Sequence, residues 1–460
     1  MLRSVGFSGA ILCSAVACGP AATPSDSGWT RTYGGTLSYE ASTVRATADG
    51  GYLVAGTVQP PSHADADVWL LRIEPGGSIV WQKSYGGPGW EVFKSLEPTA
   101  DGGFVVAGGT ESFGAGATDA WVFKLDGNGN VVWQWTFGGT GTDSANAVHP
   151  TTDGGYIVAG SMSGPGSYER TWVLKLDASG GVVWQRQYAG GAAASVKQSA
   201  DGGYVVAAAS DSLDFLETGT DYWILKLDAS GSVTWQKTYA RTLNDSYSWL
   251  RDQPTVVYTM TDGGYLIAGV TSPQGAPIGR SGWLLRLDAS GNVVWSKEYP
   301  GWVASVQPID ERNFVVAGNV RNPSDIYKIN PWVMKVDSSG NAIWQRYIPD
   351  EGGRDTFSTA QPTADGGYVV VGTTSPNEDG VTSARALKLG SDGAVADCAN
   401  LAPYDRTSSD SGVITRNTAV VAVATEIAPA ISHAVPILST ATLIQLCGST
   451  AISTGRDPFR

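Results

Sequence analysis

The sequence predicts an all-β chain, a seven-bladed β-propeller of four-stranded antiparallel blades closed by its N-terminal strand. Three observations predict it. One composite phrase recurs seven times, and in six copies two tryptophans stand twelve residues apart: Trp69/Trp81, Trp121/Trp133, Trp172/Trp184, Trp223/Trp235, Trp283/Trp295 and Trp332/Trp344. Successive copies are 49 to 60 residues apart, the length of one supersecondary unit in a repeat array. Between turns such as Asp101-Gly102-Gly103 and Ala178-Ser179-Gly180, the apolar runs are short and rich in Val, Ile, Tyr and Trp. They read as strands in a meander, with no segment periodic enough for a crossover helix. Finally, the seventh copy has Asp397 where its second tryptophan would stand, whereas Trp29 to Gly35 repeats Trp81 to Gly87 position by position. The orphan strand at the start fills the vacancy at the end, which removes the exposed edges of an open array.

In chain order, residues 1–18 read as an export signal: a positive start at Arg3, a short apolar stretch and small residues up to Cys18. Residues 19–26 form a small, Pro-containing tether. Residues 27–397 are the propeller, 398–448 a C-terminal β extension docked on it, and 449–460 a flexible tail. Ala15-Val16-Ala17-Cys18 is similar to a lipobox with alanine in place of the usual leucine, so lipidation at Cys18 is favoured over cleavage at an A-x-A site. Of the four cysteines, Cys398 and Cys447 belong to the mature chain, and in an exported protein such a pair is expected to join. That bridge would restrict the unfolded tail by about 4 kcal/mol in the chain-entropy model.

The paired tryptophans are expected to pack between blades, both rings near the same end of adjacent outer strands. Each Asp-Gly turn needs a residue tolerant of positive φ.

On these residues, TADGGYLVAG followed by WLLRIEPGGSIVW and its sister copies, the chain resembles bacterial and archaeal secreted β-propeller proteins with repeated DGGY-x-V-A-G and KLD-x-x-G-x-x-x-W motifs. The resemblance spans roughly residues 27 to 400 and implies the architecture and an exported or surface location; members mostly lack an assigned activity. The segment LDASGNVVW is also distantly similar to quinoprotein-type propeller repeats. Those hold their cofactor beside a vicinal cysteine pair that the propeller region here does not contain. No cofactor is therefore expected.

Net charge is −13, from 30 Lys and Arg against 43 Asp and Glu, with no basic block. This disfavours nucleic acid and anionic lipid as partners. A monomer is expected, meeting the membrane only through a lipid. The three histidines are far apart, and neither a phosphate loop, nor G-x-S-x-G, nor H-E-x-x-H is present. The calcium-loop-like run Asp126-Gly127-Asn128-Gly129-Asn130 falls on an ordinary hairpin turn, so no metal is assigned.

Candidate sites follow from comparing copies. The first-to-second and third-to-fourth connections are short and uniform, while the other two diverge, as in QPPSHADAD, DSLDFLETGTD and ARTLNDSYSWLRDQPT. Constancy on one face with variety on the other is how a scaffold carries a site. Trp90, Trp249 and Trp302 lie in the variable connections, and so do Glu91, Asp143, Asp252 and Asp355. The tryptophans would either stack on a sugar or a partner side chain or pack their loops against the neighbouring blade. The acids would form either a cation-attracting rim or, as recurrence favours, acceptors for their own loops. Four residues before the turn aspartate, or before Glu311 in copy six, stand Arg45, Glu97, His149, Lys197, Tyr258, Gln307 and Gln361, with an apolar neighbour one residue upstream in every copy. Period-two geometry sends these seven toward the central channel. The function expected is an exported, envelope-associated binding or structural module for a protein or glycan ligand. The alternative is a carbohydrate-active hydrolase or lyase using acids of the variable face or channel.

Overall fold

The computed structural model describes residues 28–394 except 61, 63–64, 165–168, 210–219, 241–251, 272–279, 323–324, 348–354 and 375–380, together with 402–403, 409–410 and 414–416. Every sheet is an antiparallel meander, and seven of them form a ring. Blade 1 is Ser38–Ala46, Tyr52–Gln59, Asp67–Ile73 and Ile79–Tyr85, counted from the channel outward. Blades 2 to 6 repeat this order over 91–137, 143–188, 193–240, 253–300 and 302–347. Blade 7 is Thr356–Pro362, Tyr368–Thr374 and Ser383–Leu389, and its outermost strand is Trp29–Tyr33, registered from Trp29 against Lys388 to Tyr33 against Ala384. The predicted closure is the observed one.

The Asp-Gly turns are built by three cooperating residues. In blade 2, Gly102 adopts φ +78°, a conformation that costs L side chains energy and glycine little. A Cβ on the next residue, Gly103, would sit 2.2 Å from the Leu125 carbonyl oxygen. Asp101 then accepts the Gly103 N–H at 3.1 Å and the Lys124 ammonium at 2.9 Å. The buried stem of Lys124 rises from the third strand, so the lysine of each Lys-Leu-Asp phrase anchors the Asp-Gly turn of its own blade. Lys175 with Asp153, Lys226 with Asp201 and Lys388 with Asp365 repeat the pairing. Burial pulls the Asp101 carboxyl upward, but the Thr99 hydroxyl, Lys124 and the Gly103 N–H outweigh it and hold the group at about 2.

The tryptophans pack between blades as expected, but their placement is corrected. Trp69 lies opposite Ser84, whereas Trp81 lies opposite Arg72. The two rings are thus three residue pairs apart, about 10 Å along the hairpin. An odd offset also puts them on opposite faces of the blade. Trp69 joins Tyr33, Val369 and Ala384 at the junction with blade 7, while Trp81 packs on Phe93, Val106 and Trp121 at the junction with blade 2. Each of blades 1 to 6 therefore sends one ring to each neighbour. The first ring of every pair is 0 to 5 % exposed.

The second ring stands against the tyrosine of the following Asp-Gly-Gly-Tyr phrase, as in Trp133 on Tyr156 at 5.6 Å and Trp184 on Tyr204 at 5.8 Å. In blades 2, 3 and 5 its indole N–H donates to the neighbouring turn: Trp133 to Ala178 at 3.2 Å, Trp184 to Ala229 at 3.1 Å and Trp295 to Ser338 at 2.8 Å. Four residues on, a tyrosine hydroxyl donates to the next blade's turn glycine, Tyr85 to Gly129 at 2.7 Å and Tyr188 to Gly231 at 2.5 Å. Trp29 and Tyr33 repeat both contacts, to Pro75 at 2.8 Å and Gly77 at 2.7 Å.

The described residues of the C-terminal extension sit on the perimeter of the ring. Ala402–Pro403 pairs with the outermost strand of blade 6, Ser409–Asp410 with that of blade 5, and Ile414–Arg416 with that of blade 4. Cys18, Cys398 and Cys447 lie outside the described residues.

Candidate functional site: the axial channel and the variable face

All seven innermost strands carry a β-bulge at the same place, between Ala41 and Thr43 in blade 1, Phe93 and Ser95 in blade 2, and Phe357 and Thr359 in blade 7. A bulge inserts an unpaired residue and re-aims its neighbours. Period two therefore fails locally: Ser42 and Thr43 are consecutive, yet both line the channel. Sequence reading missed this because the inserted residue has no fixed identity. The hydroxyls beside the bulges clasp neighbouring blades. The Ser95 hydroxyl accepts the Val148 N–H at 3.3 Å, Ser195 that of Val257 at 3.2 Å, and Ser305 that of Ala360 at 3.2 Å.

Beyond the bulge the predicted channel residues converge, and their apolar neighbours Val44, Leu96, Val148, Val196, Val257, Val306 and Ala360 are all buried. Glu97 receives Arg45 Nε on Oε2 at 3.2 Å and Lys197 Nζ on Oε1 at 2.8 Å. These three side chains are 13 to 15 % exposed. Lys197 Nζ also lies 3.1 Å from His149 Nδ1 and 5.5 Å from the centre of the Tyr258 ring. An ammonium only donates, so Nδ1 accepts and the imidazole is the neutral tautomer with hydrogen on Nε2. Burial first, then the adjacent Lys197 charge, push His149 down to about 4. Burial would raise the Glu97 carboxyl, but Arg45 and Lys197 overcome it and hold it far below the usual carboxylate range. Tyr258 is raised by burial and bonds Gln307. The amide oxygen of Gln361 is buried without a partner among the described residues. On the variable-loop side of this cluster lies a cavity of about 250 Å³.

The acids of the variable connections do not form an exposed rim. Glu91 is wholly buried, its two oxygens taking the Gly87 N–H at 2.9 Å and the Thr110 hydroxyl at 2.7 Å. Asp143 is wholly buried and accepts the Gly139 N–H at 2.7 Å and the Ser163 N–H at 3.1 Å. Asp355 is buried and binds Arg385 Nη1 at 2.5 Å, and Asp252 is buried at the junction where its N–H donates to Thr220. Glu91 and Asp143 clamp their own loops, whereas Asp355 is tied to the third strand of its blade.

Sequence reading also missed the partners of two of them. Asp67 and Glu91 face each other across Gly86, and Asp119 and Asp143 across Gly138, where a Cβ would meet both carboxylates of a pair at 1.9 to 2.4 Å. Burial, with the Glu91 and Asp65 charges, pushes Asp67 up to about 7. The signal was present: Asp67, Asp119 and Asp221 each stand two residues before the buried tryptophan of their copy. Asp126 is an ordinary turn acceptor, taking the N–H groups of Asn128 and Asn130 at 2.8 Å.

Of the three loop tryptophans, Trp249 lies outside the described residues and Trp302 is half-buried at the start of blade 6. Trp90 is 37 % exposed. Its backbone is held on both sides: it bridges Ala66 of blade 1, its carbonyl accepts the Glu111 N–H at 2.8 Å, and the adjacent Gly89 N–H donates to the Ser112 hydroxyl at 2.9 Å.

No protein-family model matches the chain, and no curated protein matches it. Among solved structures it is similar to the polysaccharide lyase Uly1, at 11 % identity and a TM-score of 0.47, covering 78 % of this chain and 92 % of that one. It is also similar to a protein of unknown function from Dyadobacter fermentans DSM 18053, at 14 % identity and a TM-score of 0.40 over 63 % of this chain and 92 % of that one. A third, of unknown function from Bacteroides caccae, is 13 % identical with a TM-score of 0.38 over 62 % and 95 % of the two chains. Likeness at this level carries no functional argument.

Proposed function

We propose that the chain is an exported, envelope-associated propeller that acts as a non-enzymatic binding module, meeting a protein or glycan ligand on its variable-loop face. The observation that carries this reading is Trp90, an exposed aromatic on a loop fastened by backbone bonds to two blades and by the buried Glu91 beneath it. A ring held this way loses little freedom on binding, and stacking it against a sugar or an apolar side chain removes a large flat surface from water. The acids nearby are already engaged as clamps, which suits a rigid platform.

One observation favours the alternative hydrolase or lyase. Asp67, half-protonated near neutrality beside Glu91, has the titration a general acid needs. Its partner Glu91, however, is fully committed to Gly87 and Thr110. A glycan array probed with wild-type protein and Trp90→Ala, with product analysis on every bound glycan, separates the readings. Binding without product, lost at least tenfold in the variant, is expected. Turnover, or binding indifferent to the substitution, overturns the proposal.

Attachment at the envelope rests on Cys18 and the signal-like residues before it. Intact-mass measurement of the protein extracted from membranes is expected to show a lipid-modified N-terminal Cys18. An unmodified N-terminus in the culture fluid would remove this part of the reading.

A further inference from the structure

The axial cavity is separate from Trp90 and its clamps, and its chemistry is opposite to that of the chain as a whole. Its titratable lining groups are Arg45, Lys94, Glu97, Lys197 and Tyr258. Three cations thus face one carboxylate, in a protein of net charge −13. Glu97 is consumed by Arg45 and Lys197, and Arg45 Nη1 spends its donors on the Thr43 hydroxyl at 2.9 Å and the Val44 carbonyl at 3.0 Å.

Lys94 is different. It is exposed, and it has no ion pair or hydrogen bond among the described residues. It is the inserted residue of the blade 2 bulge, between Phe93 and Ser95, so the bulge turns it into the cavity. The same position in the other six blades holds Ser42, Asn146, Ala194, Thr255, Ala304 and Ser358. One long cation in a ring of short, mostly polar side chains leaves open space under its ammonium. Low-dielectric walls around a channel focus such a charge.

We propose that this cavity is a binding site for a small oxyanion, of the size of phosphate, sulfate or a sugar carboxylate. Lys94 would approach it from the side, and the uncommitted N–H of Lys197 would meet it from the floor. Hydroxyls such as Ser42 and Thr255 would donate to the remaining oxygens. A cavity of about 250 Å³ holds roughly eight waters at about 30 Å³ each, room for a monosaccharide acid in place of them. The same cationic surplus disfavours a metal ion.

The test is titration calorimetry and thermal melting of the full chain at fixed ionic strength in chloride, with inorganic phosphate, sulfate, glucuronate and glucose added separately. At least one of the three anions is expected to bind saturably and raise the melting temperature, while glucose leaves both readouts unchanged. Which anion responds identifies whether the oxyanion is inorganic or carried on a sugar. Lys94→Ala is expected to weaken the affinity at least tenfold, Lys94→Arg to retain most of it, and Lys237→Ala on the perimeter to match wild type. Since Lys94 is exposed, the variants should melt with wild type in chloride alone. No saturable response to any of the anions, or an undiminished response in Lys94→Ala, overturns the proposal.

Discussion

A chain beginning at residue 36, without the strand Trp29–Tyr33, is expected to lose its cooperative thermal transition. The strand contributes the whole outer edge of blade 7, five residue pairs with Ser383–Leu389. Tyr33 is 5 % exposed within the cluster that also holds Trp69, Val369 and Ala384, and Trp29 packs against that cluster. Removing one large aromatic from a core costs roughly 3–5 kcal/mol, so Tyr33 accounts for about that much before the half-buried Trp29 and the ladder bonds are counted. With those included, the loss approaches the entire stability of an ordinary domain, about 5–15 kcal/mol. The loss also leaves Trp69 wet and an unpaired edge next to blade 1. Scanning calorimetry of the truncated chain should show no sharp endotherm. A second truncation, after residue 396, removes, among the described residues, only short perimeter pairings of two or three residues and should melt close to the full chain. A closure-strand deletion that melts within a few degrees of full length would refute the idea that these contacts hold the ring shut.

How much of this was legible depends on what leaves a mark in residue identity. The closure was legible because Trp29 and Tyr33 repeat the spacing of Trp81 and Tyr85, and that spacing makes the same two hydrogen bonds in Trp29 and Tyr33 as in Trp184 and Tyr188. The channel cluster was legible because a fixed offset from a sharp turn fixes which way a strand residue points. The bulge was not. Its inserted residue is Ser, Lys, Asn, Ala or Thr by turns, because what the site requires is an extra backbone unit and not a side chain. The placement of the paired tryptophans failed for a related reason: spacing of twelve does not say how many residues the turn absorbs, and the turn here leaves an offset of three pairs. The acids of the variable face were legible as a recurring set. Whether Glu91 faced water or its own loop depended on the path of Gly87 to Gly89, which composition does not specify. The perimeter strands near the C-terminus are two or three residues long, too short for alternation to register.

Glu97→Gln should destabilise the protein by about 3 kcal/mol at pH 7, because breaking a largely buried ion pair strands the remaining charges. Here two cations, Arg45 and Lys197, lose the one carboxylate between them. Substitution of Lys94, which lines the same channel but pairs with nothing described, should cost close to zero. The neighbouring His149 adds a pH signature. Its folded-state value of about 4 lies below its ordinary 6.5, so between those values the unfolded chain binds the extra proton. Stability from this group is therefore complete above pH 6.5 and is lost as the pH falls toward 4, a change of about 3 kcal/mol. Glu97, whose folded-state value is also depressed, adds a loss of the same sign below about pH 4.5. Asp67 works in the opposite direction, because its value is raised to about 7: its contribution is full at acid pH and lost as the pH rises through that value. The two slopes offset one another in the wild type and separate only by difference. Urea unfolding of wild type and His149→Gln at pH 7, 6, 5 and 4 removes the Asp67 contribution on subtraction. The wild-type advantage should shrink steadily across that series by about 3 kcal/mol. Parallel pH profiles would mean that the imidazole is not held neutral against Lys197, and the cluster would then need a different proton arrangement.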